Sequence, residues 1–280
     1  MTVECVVNVS EGRDQGILAQ LAAAAGQVLL DLHTDADHHR SVFTLAGGAE
    51  QVTGAVQALA RESVAHLDLR THQGAHPRRG VLDVVPFVPY RPGQLPVHDL
   101  DGAIDLRDAF ARWFSATLGV PTFLYGPLPG GEHRTLPQVR RHAFRELAPD
   151  FGPHQPHPTA GATAVGARTV LVAYNVLVSS LEVARQVAPL VRGPAVRALG
   201  LAVGEGAQVS CNLVEPARVG PAQVYDTVRH LVEQAGGDVE GAELVGLLPE
   251  AVLMEIPGSR WGELGLSAER TIESRLQPPA

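Results

Sequence analysis

Hydrophobic positions along this chain switch between two periods, and the switches mark its elements. Residues 3–9 alternate as a strand, residues 14–27 are rich in Ala and Leu and read as a helix, and residues 28–34 and 40–46 read again as strands. Residues 50–69 form a second helical stretch, with Val52, Val56 and Leu59 at i, i+4 and i+7 and with Arg61 and Glu62 on the watered side. Residues 81–88 supply a fourth strand. The order is βαββαβ, the split pattern of a ferredoxin-like plait with both helices on one face of a four-stranded sheet.

The same order returns in the second half. Residues 168–177 read as a strand, 180–190 as a helix, 196–203 and 208–214 as strands, 221–235 as a helix and 239–245 as a strand. Asn8 and Asn175 occupy matching places in the first strand of each half. The expected fold class is therefore α+β, a duplicated pair of ferredoxin-like βαββαβ plaits with a substrate cleft between two lobes, residues 1–167 and 168–280. Between the plaits lie a helix over residues 104–118, a strand near 122–125, a Gly/Pro loop at 126–131 and a basic helix over 136–147. Residues 150–167 read as a connector, because Pro and Gly so dense disfavour a regular helix or a central strand.

Alternation also sorts the polar residues. In the second strand Val28, Leu30 and Leu32 share one side, and Leu29, Asp31 and His33 the other. By the same count Asp83 leaves the side of Leu82 and Val84. Asn8, Asp31, His33 and Asp83 are thereby expected on the helix-free face, where burial is costly unless they bind a ligand or one another.

Composition narrows the chemistry. A net charge of −8 and an isoelectric point near 5.8 argue against binding along a phosphate backbone, so no nucleic acid partner is expected. All 22 basic side chains are arginine, which removes Schiff-base chemistry, pyridoxal phosphate attachment and a P-loop lysine, and leaves a cation suited to two-pronged recognition of carboxylates. Cys5 and Cys211 sit in apolar runs and imply no disulfide framework. The chain begins directly with a strand, and no apolar run approaches the ~20 residues of a membrane helix; a cytoplasmic location without a membrane partner is expected.

Three clusters carry candidate chemistry. The first is T-H-Q-G-A-H-P-R-R-G-V-L-D at residues 71–83, which sets His72, His76, Arg78 and Arg79 in a glycine-containing loop ahead of an apolar strand. His76 precedes a proline and is biased toward extended backbone, and an imidazole of ordinary pKa ~6.5 suits proton transfer near neutrality; the alternative is an exposed loop histidine. The second is D-L-H-T-D-A-D-H-H-R at residues 31–40. His33, Asp35, Asp37 and His38 offer metal donors for a metal-dependent hydrolase, against a turn whose Asp residues bond their own backbone. The third is the connector, whose glycines permit close approach to a flat or charged ligand, against a plain linker.

Taken with V-E-C-V-V-N-V-S-E-G at the start, H-Q-G-A-H-P-R-R-G-V-L-D-V-V-P-F, F-L-Y-G, R-T-L-P, P-D-F-G-P, G-A-T-A-V-G-A-R and L-V-G-L-L-P, these clusters give the chain a nearly end-to-end resemblance to the formiminotransferase part of the formimidoyltransferase-cyclodeaminase family. The resemblance implies two ferredoxin-like lobes with a folate-binding cleft between them, a homodimer, and transfer of a formimino group between N-formimino-L-glutamate and tetrahydrofolate in histidine degradation. Tetrahydrofolate is then a co-substrate, and no metal is expected. The family's catalytic histidine falls on His76, a proton shuttle between the attacking and leaving amines. Asn8, His33, Asp35, Arg40, Arg78 and Asp83 are the candidate substrate contacts. Asp35 or Asp83 would hold the amidinium, and Arg40 and Arg78 the carboxylates of glutamate or folate. The folate-contacting stretch falls on Gly152, Pro153, His154, Gln155, Pro156, His157, Pro158, Thr159, Ala160 and Gly161, where H-Q-P-H-P-T-A departs from more apolar and aromatic relatives. A separate cyclodeaminase is the expected downstream partner. A non-catalytic reduced-folate-binding protein of the same fold, the metal-dependent hydrolase and a formyl-accepting transferase are the alternatives.

Overall fold

A computed structural model describes residues 1–276, which divide into two compact units. The first comprises Met1–Tyr90 and His98–Arg168; the second comprises Arg91–Val97 and the chain from Thr169 onward.

The first unit opens with the expected plait: β1 (Thr2–Val9), α1 (Gln15–Ala25), β2 (Leu29–Asp35), β3 (Arg40–Gly48), α2 (Ala49–His66) and β4 (Leu82–Tyr90). Asp14 caps α1 by accepting from the amides of Gly16 and Ile17. The chain continues through α3 (Asp101–Leu118), β5 (Thr122–Pro127), the short β6 (His133–Arg134), α4 (Leu136–His142) and β7 (Thr163–Ala167). The strands order as β2-β3-β1-β4-β7-β5-β6, antiparallel through the plait and parallel at β4-β7 and β7-β5. One core, built on Val3, Cys5, Val7, Phe43, Leu45, Val56, Leu59, Phe87, Phe110 and Phe114, lies beneath α1, α2 and α3. A smaller cluster of Val84, Phe123, Tyr125, Val139, Ala143, Ala162 and Ala164 brings α4 against residues of β4, β5 and β7.

Four expectations change. Residues 163–167 are not connector but β7, a buried strand paired on both sides, because T-A-V-G-A is small and apolar enough to lie flat between β4 and β5. In β2 a bulge between Leu29 and Asp31 leaves Leu30 unpaired and sets Leu29 opposite Leu45 in the core; Leu29 thus leaves the side of Asp31 and His33. A second register shift, between Asn8 and Val9, separates Val84 from Leu82 and sends Val84 to the smaller cluster. The basic helix also stops at His142 rather than 147. Phe144 adopts a left-handed φ of 63°, and the His142 carbonyl collects the amides of Arg145, Glu146 and Leu147.

The second unit repeats the plait with β8 (Val172–Val178), α5 (Leu181–Val191), β9 (Val196–Val203), β10 (Gly206–Leu213), α6 (Pro221–Gln234) and β11 (Val239–Val245), in the order β11-β8-β10-β9. Its core joins Val176, Val187, Val209 and Val228 to Leu248, Leu253 and Leu264 of the C-terminal stretch, which carries α7 (Glu250–Met254) and α8 (Ile272–Leu276).

The central place of β7 depends on Gly166, where a Cβ would overlap the buried Tyr125 ring. Gly166→Ala is expected to lower unfolding stability by about 1–3 kcal/mol through overpacking, and an unchanged urea midpoint would contradict this packing.

Candidate active site

Residues 71–80 run without regular structure from the end of α2 toward β4, and backbone bonds at both ends hold them. The Leu69 amide donates to the Thr159 carbonyl, the Ala75 amide to Asp37, the Val81 amide to Ala160, and Ser10 donates its amide to Val81 and its hydroxyl to Gly80. Gly74 passes so close to the His38 carbonyl that a side chain there would collide with it. A hollow of about 370 Å³, whose walls include Leu69, His72, His76 and Arg78, opens on this loop, and its size is that of a small-molecule site.

Two polar chains fix the loop side chains. In the first, the Glu11 carboxylate accepts from the amides of Gly12, Arg13 and Asp14 and lies 3.1 Å from His39 Nε2. His39 holds a left-handed φ of 50°, contacts the Gln73 carbonyl through Nδ1, and stacks on His72 at 3.9 Å between ring centroids. His72 Nε2–H donates to the His39 carbonyl, which leaves its Nδ1 to accept from Arg78 at 2.8 Å; Arg78 also donates to Gly74. Burial opposes the charge on Glu11, yet the three amides and His39 hold its carboxyl below the usual range. For His72, burial leads in pushing its pKa down to about 4.

The second chain centres on Asp83, which is 2% exposed. One of its oxygens accepts from Arg40 at 2.9 Å and from Arg140 at 2.7 Å; the other accepts from the Arg79 amide. Arg40 also donates to Asn8 Oδ1, and the Asn8 amide group donates to the Val6 carbonyl. Arg140, on α4, turns its other prong to the Pro77 carbonyl at 2.9 Å, and Arg79 reaches the carbonyl of Arg140. His76 Nδ1–H donates to that same Pro77 carbonyl at 2.7 Å. A carbonyl only accepts, so the neutral ring carries its proton on Nδ1 and presents a lone pair on Nε2, which has no protein partner among the described residues. Burial first, then the Arg40 and Arg140 guanidiniums, press the His76 pKa down to about 3. Burial opposes ionisation of Asp83 as well, but the two guanidiniums overcome it and hold that carboxyl far below the usual range.

The structure brings His76, Asn8, Arg40, Arg78 and Asp83 into this region and revises what three of them do. Asn8, Arg40 and Asp83 bond one another, and both Asp83 oxygens are occupied, so Asp83 is a buried anchor and not an anion offered to an amidinium. Asp35 folds back on the Asp37 and His38 amides, the turn that short acidic segments commonly make, with His38 Nε2 3.6 Å from its second oxygen. Among the described residues no three His, Cys, Asp or Glu side chains form a metal-holding group. His33 pairs opposite Val42, as Asn8 does, on the helix-free face. Residues 152–156 are exposed, whereas His157 accepts from the Ala160 amide and Ala160 and Gly161 are buried at the base of the loop. Glu11, His39 and Arg140 escaped sequence reading. Glu11 had a local signal in its place just before a glycine and the Asp14 cap, but the partner of Arg140 lies 57 residues away.

No described helix is long and apolar enough to cross a membrane. Residues 2–168 match the formiminotransferase domain, N-terminal subdomain. The chain is 34% identical to a glutamate formimidoyltransferase of Streptococcus pyogenes serotype M1, over 91% of each protein, and 29% identical to one of Thermoplasma acidophilum over 91% of this chain and 90% of that one. It is also 34% identical to the formimidoyltransferase-cyclodeaminase of Sus scrofa, over 90% of this chain and 51% of that longer protein.

Both shifted histidines are neutral when folded and ordinary when unfolded, so the unfolded chain binds more protons as pH falls from about 6.5 toward the folded values. Stability is present in full above that window and lost through it; Asp83 adds a further loss below the ordinary carboxylate range. Urea unfolding at pH 7, 5.5 and 4.5 is expected to show a falling free energy, with a shallower fall for His72→Gln combined with His76→Gln; a flat profile would refute the assignment. Asp83→Ala leaves Arg40 and Arg140 without their shared anion, and a loss on the order of 3–5 kcal/mol is expected in the same assay.

Proposed function

This chain belongs to the formiminotransferase family and is a folate-dependent formimino transferase, and on that premise we propose that His76 moves the protons of the reaction. The observation that carries the reading is the fixed tautomer of His76, with Nδ1–H on the Pro77 carbonyl and a free lone pair on Nε2 beside the hollow.

The donor is N-formimino-L-glutamate, whose amidine carbon is electrophilic, and the acceptor is the N5 amine of tetrahydrofolate. A bond forms between N5 and that carbon, and the bond from the carbon to the glutamate nitrogen breaks. Nε2 of His76 takes the proton that N5 sheds and delivers one to the departing nitrogen. A ring pressed to about 3 is a weak base but makes a strong conjugate acid. Weak basicity suffices because an amine that has just attacked carries positive charge and gives up its proton readily. Strong acidity then serves the leaving step.

Arg78 lines the hollow and meets a carboxylate of glutamate or of the folate tail, exchanging its bonds to His72 and Gly74 for a two-pronged pair. The exposed residues 152–156 and the turn closing at Gly161 contact the folate, a placement supported by the backbone bonds that join residues 159–162 to Leu69, Arg79 and Val81. Asp35 and His33 remain the candidate contacts on the β2 side. The protein works in histidine degradation in the cytoplasm, where its two buried thiols stay reduced, and as a homodimer.

His76→Ala is expected to lower kcat by roughly 100- to 10,000-fold with little change in either KM, measured with tetrahydrofolate and formiminoglutamate. Activity within about tenfold of the parent, roughly 1.4 kcal/mol in barrier, would sink the role. Arg78→Ala is expected to raise the KM of one substrate; unchanged KM values for both would remove Arg78 from the binding site.

A further inference from the structure

We infer that Arg140 is a positioning residue, which sets the orientation and tautomer of His76 through the carbonyl of Pro77 that the two side chains share. The inference rests on the reading of His76 as the proton carrier. It stands on three distances: His76 Nδ1 to Pro77 O at 2.7 Å, Arg140 Nη1 to the same oxygen at 2.9 Å, and Arg140 Nη2 to Asp83 at 2.7 Å.

A carbonyl has two lone pairs, and here each has a donor. The His76–Pro77 bond spans adjacent residues of an irregular loop, so by itself it fixes the ring relative to the next peptide and not relative to the protein. Arg140 supplies the missing reference. It sits on α4, whose start is set by the Thr135–Gln138 capping box and whose Val139 is packed in the smaller core cluster. Its guanidinium is planar, so one prong on the buried Asp83 dictates where the other prong lies, and the Pro77 carbonyl follows. The Arg79 side chain ties the Arg140 backbone to the loop from the other direction. The shared carbonyl takes the orienting place that a carboxylate holds beside other histidines; its bond to Nδ1–H favours the charged ring, and burial together with the Arg40 and Arg140 guanidiniums outweighs it. The charged and titratable groups around His76 are Arg40 from β3, Asp83 from β4, Arg140 from α4 and the His38 ring, 5.9 Å away edge-on, from the β2–β3 turn.

Arg140→Gln and Arg140→Lys in the full-length protein test the inference by two independent readouts. The first is the nitrogen chemical shifts and titration of His76 by NMR; the second is kcat, KM and the pH profile of kcat/KM. Arg140→Gln is expected to replace the single Nδ1–H tautomer by a mixture, to move the His76 titration upward, and to lower kcat on the order of 100-fold with KM within about threefold. Arg140→Lys keeps a charge but has one prong for two acceptors. It is expected to keep the low titration and still lose the single tautomer and most of kcat. A folded Arg140→Gln protein with the parental His76 tautomer and titration would overturn the inference. If that variant fails to fold, Arg140→Lys decides, with a parental tautomer and kcat overturning it. The NMR readout does not depend on turnover, so an active His76→Ala protein would defeat the proton-carrier reading without being confused with failure of this one.

Discussion

The carboxylate of Asp83, buried between the guanidiniums of Arg40 and Arg140, is the interaction on which the rest of the site depends. An isolated buried charge is costly, and Asp83 and Arg40 are both buried and depend on their pairing, while Arg140 is half-buried and adds a second cation to the same oxygen. Together they join β3, β4 and α4, elements whose sequence positions are far apart. Because Asp83 also accepts from the Arg79 amide, the end of the histidine loop is fixed to the same point. Burial first, and then the two guanidiniums around that carboxylate, keep His76 neutral, so the arrangement that builds the site also contributes to its proton chemistry.

The extension of the plait explains how that arrangement is reached. A four-stranded ferredoxin-like sheet would leave the outer side of β4 unpaired. Here β7 pairs parallel to it, β5 follows, and α4 packs on Val84, Phe123 and Ala164. That packing carries Arg140 to Asp83. Small residues make the joint possible: Thr163, Ala164, Gly166 and Ala167 let the strand lie between two others while the Tyr125 ring covers Gly166. The glycine that reads as a loop-former in the sequence is therefore a packing residue in the fold.

The loop itself is neither free nor held by one contact. Glu11, His39, His72 and Arg78 form one chain of polar contacts along it, and Asp83, Arg140, Pro77 and His76 form another. His72 and His76, equivalent on paper, are separated by this. Both nitrogens of His72 have protein partners, whereas His76 keeps Nε2 for a ligand. Arginine in every cationic position suits the design, since a guanidinium bonds two acceptors in fixed geometry and stays charged when buried.

Sequence pattern alone carried the two βαββαβ plaits and the shared face of Asn8, Asp31 and His33, and it left His72 and His76 equal until the family resemblance singled out His76. Periodicity and local backbone preference are written in neighbouring residues, and such signals survive without the fold. The tertiary structure decided the bulge that moves Leu29 inward, the strand hidden in residues 163–167, and the roles of Asp83, Asn8 and Arg40 as anchors. It alone brought in Arg140. Each of these turns on partners dozens of residues apart, on which oxygen faces which guanidinium and which small residue admits a neighbouring strand, and no local pattern in the chain records that.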